Sequence, residues 1–194
     1  MVHVMAVPVA STAPEEFVRA VTGLSEVAPR REIVLGALPA PARLAPHSHA
    51  ISASVNSADD EEIGSGRLVL LHDPEGVQAW DGTFRVVVFA TCEVEAELAR
   101  DPLLPQVAWS WLVDALSGAE HTALGGTVTA TASTRFGDIS GPEHADDLEI
   151  RASWTPVSAD TAPHLRAFLD LLSAAAGLPP EGVSAIRGNF RTNA

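Results

Sequence analysis

Two histidines separated by one residue are the feature of this sequence best suited to binding a metal ion. His47 and His49 are two positions apart, and side chains at that spacing on a β-strand point to the same face of the sheet. Two imidazoles on one face can share a zinc ion when further ligands come from elsewhere in the chain. The candidates for those ligands are His72, Asp73 and His121. The competing interpretation is structural, with both rings half exposed at the start of a strand.

The segment that follows His72 combines carboxylates with an indole. Asp73, Glu75 and Asp81 lie close in sequence to Trp80, so a loop could display acidic groups around an aromatic ring. The run Asp-Pro-Glu-Gly from position 73 to 76 is also typical of a type I turn, and a structural role is therefore favoured. We keep one pocket hypothesis, a small-molecule or metal site between sheet and helices. Its rim would consist of His47, His49, His72, Asp73 and Trp80.

Motifs for covalent or phosphate chemistry are missing from the sequence. Gly64-Ser-Gly66 lacks the spacing of a nucleophile elbow, and Gly125-Gly126 is not followed by the lysine of a phosphate-binding loop. Cys92 lies within an apolar strand pattern, where thiols are usually inert. We therefore predict no catalytic residue, no bound metal and no cofactor, and the sequence favours a protein that is not an enzyme.

A helix predicted from Pro105 to Ser117 is apolar around most of its circumference. Trp109 and Trp111 are about 200° apart around its axis, so both cannot face the same core. A tryptophan on the second face of a helix is typical of an interface, because indole combines a large apolar area with one hydrogen-bond donor. We predict Trp109 and Trp111 as candidate interface residues, although burial under a loop of the same chain is the competing interpretation.

The remaining patterns predict the elements that must position these residues. Alternation of apolar and polar residues predicts four strands, then two more after the apolar helix, with a helix at each end of the domain. The predicted order is α-ββββ-α-ββ-α. Short turns between successive strands indicate a mainly antiparallel sheet of about six strands packed with three helices, which is the α+β class.

Composition limits the partners of this domain. The chain of 194 residues has 12 arginines, no lysine and a net charge of −13, which opposes binding to nucleic acid or to an anionic membrane. A lone cysteine excludes an internal disulfide and favours a reducing cytoplasm.

We predict a flexible N terminus over residues 1–12, where the pattern of a secretory signal is incomplete. One α+β domain is predicted over residues 13–180, with a flexible tail over 181–194.

Six strings of the sequence carry a resemblance to a known family: Gly66–Gly76, Trp80–Arg85, Asp101–Pro105, Ala108–Leu116, Ile150–Trp154 and Ala175–Pro180. They resemble an actinobacterial family of unassigned role, domain of unknown function three thousand. The resemblance covers roughly residues 14 to 180. It implies a single domain and assigns no activity, cofactor or catalytic residue.

Two functional hypotheses follow from the sequence. The first is a non-catalytic cytoplasmic module, similar to an adaptor or chaperone, that binds a protein partner or a second copy through the apolar helix and the neighbouring sheet. The second is a protein with the pocket described above, which binds a small molecule or a metal.

Overall fold

Six strands form one antiparallel sheet in the computed structural model, which describes residues 13–41 and 43–180. The helices are α1 (Glu15–Ser25), α2 (Ala96–Ala99), α3 (Leu104–Ala115) and α4 (Ala162–Ala175), with a 3-10 turn at Leu116–Gly118. The strands are β1 (Ile33–Leu38), β2 (His47–Asn56), β3 (Glu62–Val77), β4 (Gly82–Glu93), β5 (His121–Thr134) and β6 (His144–Pro156). The predicted α+β class and element order are confirmed, with the short α2 as an addition. The two predicted flexible ends, residues 1–12 and 181–194, lie outside the described residues.

The strand order of the sheet is β1-β2-β3-β4-β6-β5. The first four strands follow one another as hairpins, and β6 then inserts between β4 and β5. Because β6 pairs on both sides, the last hairpin leaves β5 at the edge of the sheet. The helix α3 is the connection that carries the chain from β4 across to this edge.

One face of the sheet and the helices α1, α3 and α4 enclose the core. The sequence pattern Leu148, Ile150, Ala152 and Trp154 is buried as predicted. Alternating residues of β4 from Val86 to Cys92 are likewise buried. The helices contribute apolar side chains to the same cluster, among them Phe17, Leu24, Leu112, Phe168 and Leu172. Such alternation is what a sheet covered on one face requires.

The chain reversal between β3 and β4 lies later than the predicted turn at residues 73–76. The two strands pair again at Val77 and Gly82, and the reversal is made by residues 78–81, with Asp81 in the left-handed conformation at φ 58°. The pairing register shifts between His72 and Val77. The Asp-Pro-Glu-Gly signature therefore produces an irregularity within the strand, while the reversal uses the Asp81-Gly82 pair.

None of the helices within residues 13–41 and 43–180 is long and apolar enough to cross a membrane.

Candidate functional site

A cross-strand histidine pair lies on the core face of the sheet. His47 on β2 is the register partner of His72 on β3, and the two ring centroids are 5.9 Å apart. Phe84 from β4 lies 4.3 Å from the His72 ring, and Phe17 from α1 lies 5.8 Å from it. The His72 ring is therefore surrounded by three aromatic rings that come from a helix and two strands.

His72 is buried without a hydrogen-bond partner. Its side chain is 1% exposed, and neither Nδ1 nor Nε2 has a partner within hydrogen-bond distance. The nearest charge is the Glu16 carboxylate on α1, with Oε2 3.8 Å from His72 Nε2. Burial lowers the pKa of His72, although the Glu16 carboxylate opposes that shift. Burial of the ring thus disfavours its protonated form.

The other residues of the predicted pocket rim lie in different surroundings. His49 shares the core face of β2 with His47 and stands opposite Leu70, and burial lowers its pKa. Asp73 accepts a hydrogen bond from the backbone N–H of Glu75 at 3.1 Å, within the irregular part of β3.

Trp80 belongs to the reversal between β3 and β4, and its backbone carbonyl accepts a hydrogen bond from the Thr155 hydroxyl. The structure brings His47, His49 and His72 to one face of the sheet. It places Asp73 in the irregular part of β3 and Trp80 in the reversal that leads to β4. His121, considered as a further ligand, begins β5, where its Nδ1 lies 2.7 Å from the carbonyl oxygen of Ala119.

In the part of the chain that the structure describes, no group of three or more His, Cys, Asp or Glu side chains is arranged to hold a metal ion. A cleft of about 500 Å³ lies between α1 and the loop that follows β6. Its lining includes Arg19, Glu26 and Asp160 but none of the predicted rim residues.

A second buried histidine, His164 on α4, was missed by the sequence analysis. Its Nδ1 accepts a hydrogen bond of 3.0 Å from Trp154 Nε1, and both side chains are buried. Burial lowers the pKa of His164 to about 4. The signal in the sequence was weak, because a histidine at the start of α4 could lie either on the buried apolar stripe of the helix or beside it, exposed to solvent.

The outer side of α3 exposes apolar side chains. Trp109 and Trp111 are both partly buried and pack against the core cluster. Leu103, which precedes the helix, is 61% exposed, and Val107 and Val113 are each 45% exposed. Leu103, Val107 and Trp111 are spaced by four residues and form one row along the helix. Two of these exposed apolar side chains thus lie in a row with Trp111, one of the two tryptophans predicted as interface residues.

The edge strand β5 is exposed over most of its length. No described strand pairs with its outer edge, and only His121, Leu124 and Val128 are even partly buried. Its register with β6 shifts between Thr122 and Gly125, where Ala123 takes a left-handed conformation at φ 50°. From Gly125 to Thr134 the pairing is regular. The alternation of residues predicts this strand, but its place at the edge of the sheet follows only from the pairing with β6.

Arg85 holds the irregular start of β5. Its guanidinium donates hydrogen bonds of 3.0 Å to the carbonyl oxygen of Ala123 and 2.7 Å to the Ser153 hydroxyl. Arg85 lies on the sheet face opposite the core, where Arg67 and Arg151 also stack on the ring of Phe89. This face therefore carries arginines, while α3 and β5 carry one formally charged residue between them, Asp114.

Comparison with known protein families identifies a family for this chain. A family model described as "Protein of unknown function (DUF3000)" matches residues 13–184, which are most of the chain. No curated protein and no solved structure matches. The chain belongs to the DUF3000 family.

Proposed function

We propose that this protein is a non-catalytic protein-binding module, of the adaptor or chaperone-like kind. Its binding surface consists of β5 and the outer side of α3, which we call the edge surface. The observation that carries the proposal is the near absence of charge there. The two elements contain 26 residues and one charged group, Asp114, whereas 19% of the whole chain is charged. Depletion of charge is a compositional mark of interface cores.

The apolar row on α3 supports this proposal. Leu103 and Val107 expose about half of their surface or more, next to the partly buried Trp111. Burial of such side chains on association is favourable at roughly 25 cal/mol per Å² of apolar area, although ordering costs offset much of that gain. A helix that interacted only with its own domain would be expected to present polar residues at these positions.

The backbone of β5 adds a second mode of recognition. A strand with no neighbour on its outer side offers N–H and C=O groups in the spacing that an added strand requires. Proteins usually protect such edges with charged residues or proline. The fourteen residues of β5 contain neither.

Site-specific photocrosslinking tests the proposal. A benzoylphenylalanine at Val107 or at Thr129 should form crosslinks to protein in cells of the native host. The same group at Val18, which is 40% exposed on α1, is the matched control and should give few crosslinks. Equal crosslinking at all three positions, or none at any, would overturn the proposed function.

We also infer that the protein acts in the cytoplasm and binds neither nucleic acid nor membrane. Cys92 is a buried thiol, and a net charge of −13 repels polyanions. Fractionation of the host cells tests the location.

A small-molecule or metal site at the His47–His72 pair is the second candidate function. The observation that favours it is the pair of buried ring nitrogens on His72 that have no partner, since such groups are normally satisfied. Thermal-shift measurements with Zn²⁺ and a metabolite set test it, together with metal analysis of the purified protein. A ligand of this site should raise the Tm of the wild type but not of His72→Phe. If no compound raises the Tm of the wild type more than that of His72→Phe, this candidate is rejected.

A further inference from the structure

We propose that the partner at the edge surface is a second copy of this chain, joined by antiparallel pairing of β5 with its twofold-related β5. This inference rests on the proposed function and names the partner for it. Two six-stranded sheets would then form one continuous sheet of twelve strands.

The geometry of β5 suits a twofold contact. Two identical strands related by a twofold axis perpendicular to the sheet are necessarily antiparallel, and every strand pair of this sheet is already antiparallel. The regular part, from Gly125 to Thr134, has ten residues and extends roughly 34 Å at the rise of an antiparallel strand. Pairing centred on this segment places the axis beside Thr129 or Ala130, and that residue then faces its own copy.

The charge distribution favours binding of a second copy at β5 rather than at the opposite edge of the sheet. Each chain carries a net charge of −13, so two chains repel one another, and the repulsion is smallest for a contact that contains no acidic groups. β5 contains no Asp, Glu, Lys or Arg, and its one histidine, His121, lies outside the regular part of the strand. The opposite edge, β1, is only six residues long. It follows directly on the charged cluster of Arg30, Arg31 and Glu32, in which Glu32 accepts hydrogen bonds of 2.9 Å from both arginines.

The helices add contact area on the same side. A twofold axis perpendicular to the sheet keeps both helix layers on one face, and α3 is in contact with β5. Both copies of α3 therefore lie on the same face of the joined sheet, each beside its own β5, and Leu103 and Val107 are exposed side chains there that a second copy could cover. A stable interface uses about 20–30 residues from each partner. The fourteen residues of β5 and the exposed positions of α3 approach that number.

A cysteine scan of β5 tests the pairing itself. Cys92 is 1% exposed and burial raises its pKa to about 12, so a single introduced cysteine is the reactive thiol to be followed. Cysteines placed one at a time at Thr127, Val128, Thr129, Ala130 and Thr131 should form intermolecular disulfides under mild oxidation, with a maximum at one position near the axis. Val34→Cys, exposed on β1, is the matched control and should stay monomeric on non-reducing gels.

Light scattering after size exclusion tests the assembly. We expect a mass of about twice 20.3 kDa for the wild type at micromolar concentration. Thr129→Glu sets two like charges against each other at the axis and should shift the mass to that of a monomer. Val34→Glu should remain a dimer, and circular dichroism checks that both variants are folded.

The outcomes separate this inference from the proposed function. A wild type that stays monomeric, or a disulfide yield that is flat across the scan and equal to that of Val34→Cys, overturns the homodimer. Position-specific crosslinks from Val107 to a different protein would in that case leave the proposed function standing. Absence of both the dimer and those crosslinks would reject both.

Discussion

Two buried histidines in the same core differ in one respect, the presence of a hydrogen-bond partner. His164 accepts the indole N–H of Trp154, whereas neither ring nitrogen of His72 has a partner. An unsatisfied buried polar group costs about 1–3 kcal/mol, and an apolar replacement of similar shape removes that cost. Identical substitutions at the two sites should therefore change stability in opposite directions.

We predict that His72→Phe stabilises the protein by about 1 kcal/mol, since Phe17 and Phe84 already surround the ring. His164→Phe should destabilise it by about 1–3 kcal/mol, because Trp154 Nε1 loses its acceptor. Urea denaturation at pH 7.5 measures both changes. Destabilisation by His72→Phe equal to that of His164→Phe would contradict the prediction.

The lowered pKa of His164 also predicts acid sensitivity. In the unfolded chain this histidine binds a proton below about pH 6.5, while burial lowers its pKa in the folded state to about 4. The unfolded state therefore binds more protons between these values, and stability is lost as the pH falls through that window. His164 should contribute about 2 kcal/mol of the loss between pH 7.5 and pH 5.

Urea denaturation at the two pH values measures this loss in the wild type and in His164→Gln. The glutamine keeps an acceptor for Trp154 but does not titrate. Between pH 7.5 and pH 5 the free energy of unfolding of His164→Gln should therefore fall by about 2 kcal/mol less than that of the wild type. An equal change in both proteins would exclude His164 as the source.

At the scale of the elements, close backbone contact between β5 and β6 rests on one glycine. A Cβ on Gly126 would overlap the carbonyl oxygen of Arg151 and lie 2.9 Å from Ala152 Cα, whereas a Cβ on Gly125 would have no atom within 4 Å. The glycine pair is evident in the sequence, but which of the two glycines packs closely is not. Only the register with β6 separates the two.

We predict that Gly126→Ala destabilises the fold by about 2 kcal/mol or more, because backbone atoms must move to accept the methyl group. Gly125→Ala should change the free energy of unfolding by less than about 0.5 kcal/mol. Thermal and urea denaturation of both variants measure the difference. A loss at Gly126→Ala as small as that at Gly125→Ala would contradict the prediction and would mean that the strand spacing adjusts freely.

Much of the element layout was predictable from local patterns. Alternation identified the strands, since one covered face forces apolar residues to every second position, as in Ile51, Ala53 and Val55. Gly177 adopts φ 66° beyond α4, as the predicted helix end requires. The reversal after β3 was not predictable, because two turn signals lie within ten residues and the strand pairing decides between them.

At the scale of the whole molecule, the strand order was beyond the sequence analysis. Nothing local to β6 indicates that it inserts between β4 and β5, since that position depends on where α3 delivers the chain. The candidate site could likewise be predicted only in part from the sequence. Spacing put His47 and His49 on one face, but the His47–His72 pair depends on the β2–β3 register.

The net charge predicts how salt affects the proposed dimer. Two chains of charge −13 repel one another, and salt screens this repulsion over about 10 Å at 0.1 M and about 3 Å at 1 M. We expect the dimer Kd to fall several-fold between 50 and 500 mM NaCl. Sedimentation equilibrium measures it, and a Kd that rises with salt would indicate that opposite charges, not the uncharged β5, hold the copies together.

The two edge strands of the sheet differ in length, and this difference decides whether assembly stops at a dimer or continues into a filament. A β5 that paired with the β1 of another copy would leave a fresh β5 exposed, and each addition would repeat the step into a filament. Pairing of β5 with β5 consumes both long edges at once and leaves only the six-residue β1 strands, which are preceded by charged residues. The short first strand therefore limits growth, and lengthening it or removing the charges before it would favour polymers over a closed pair.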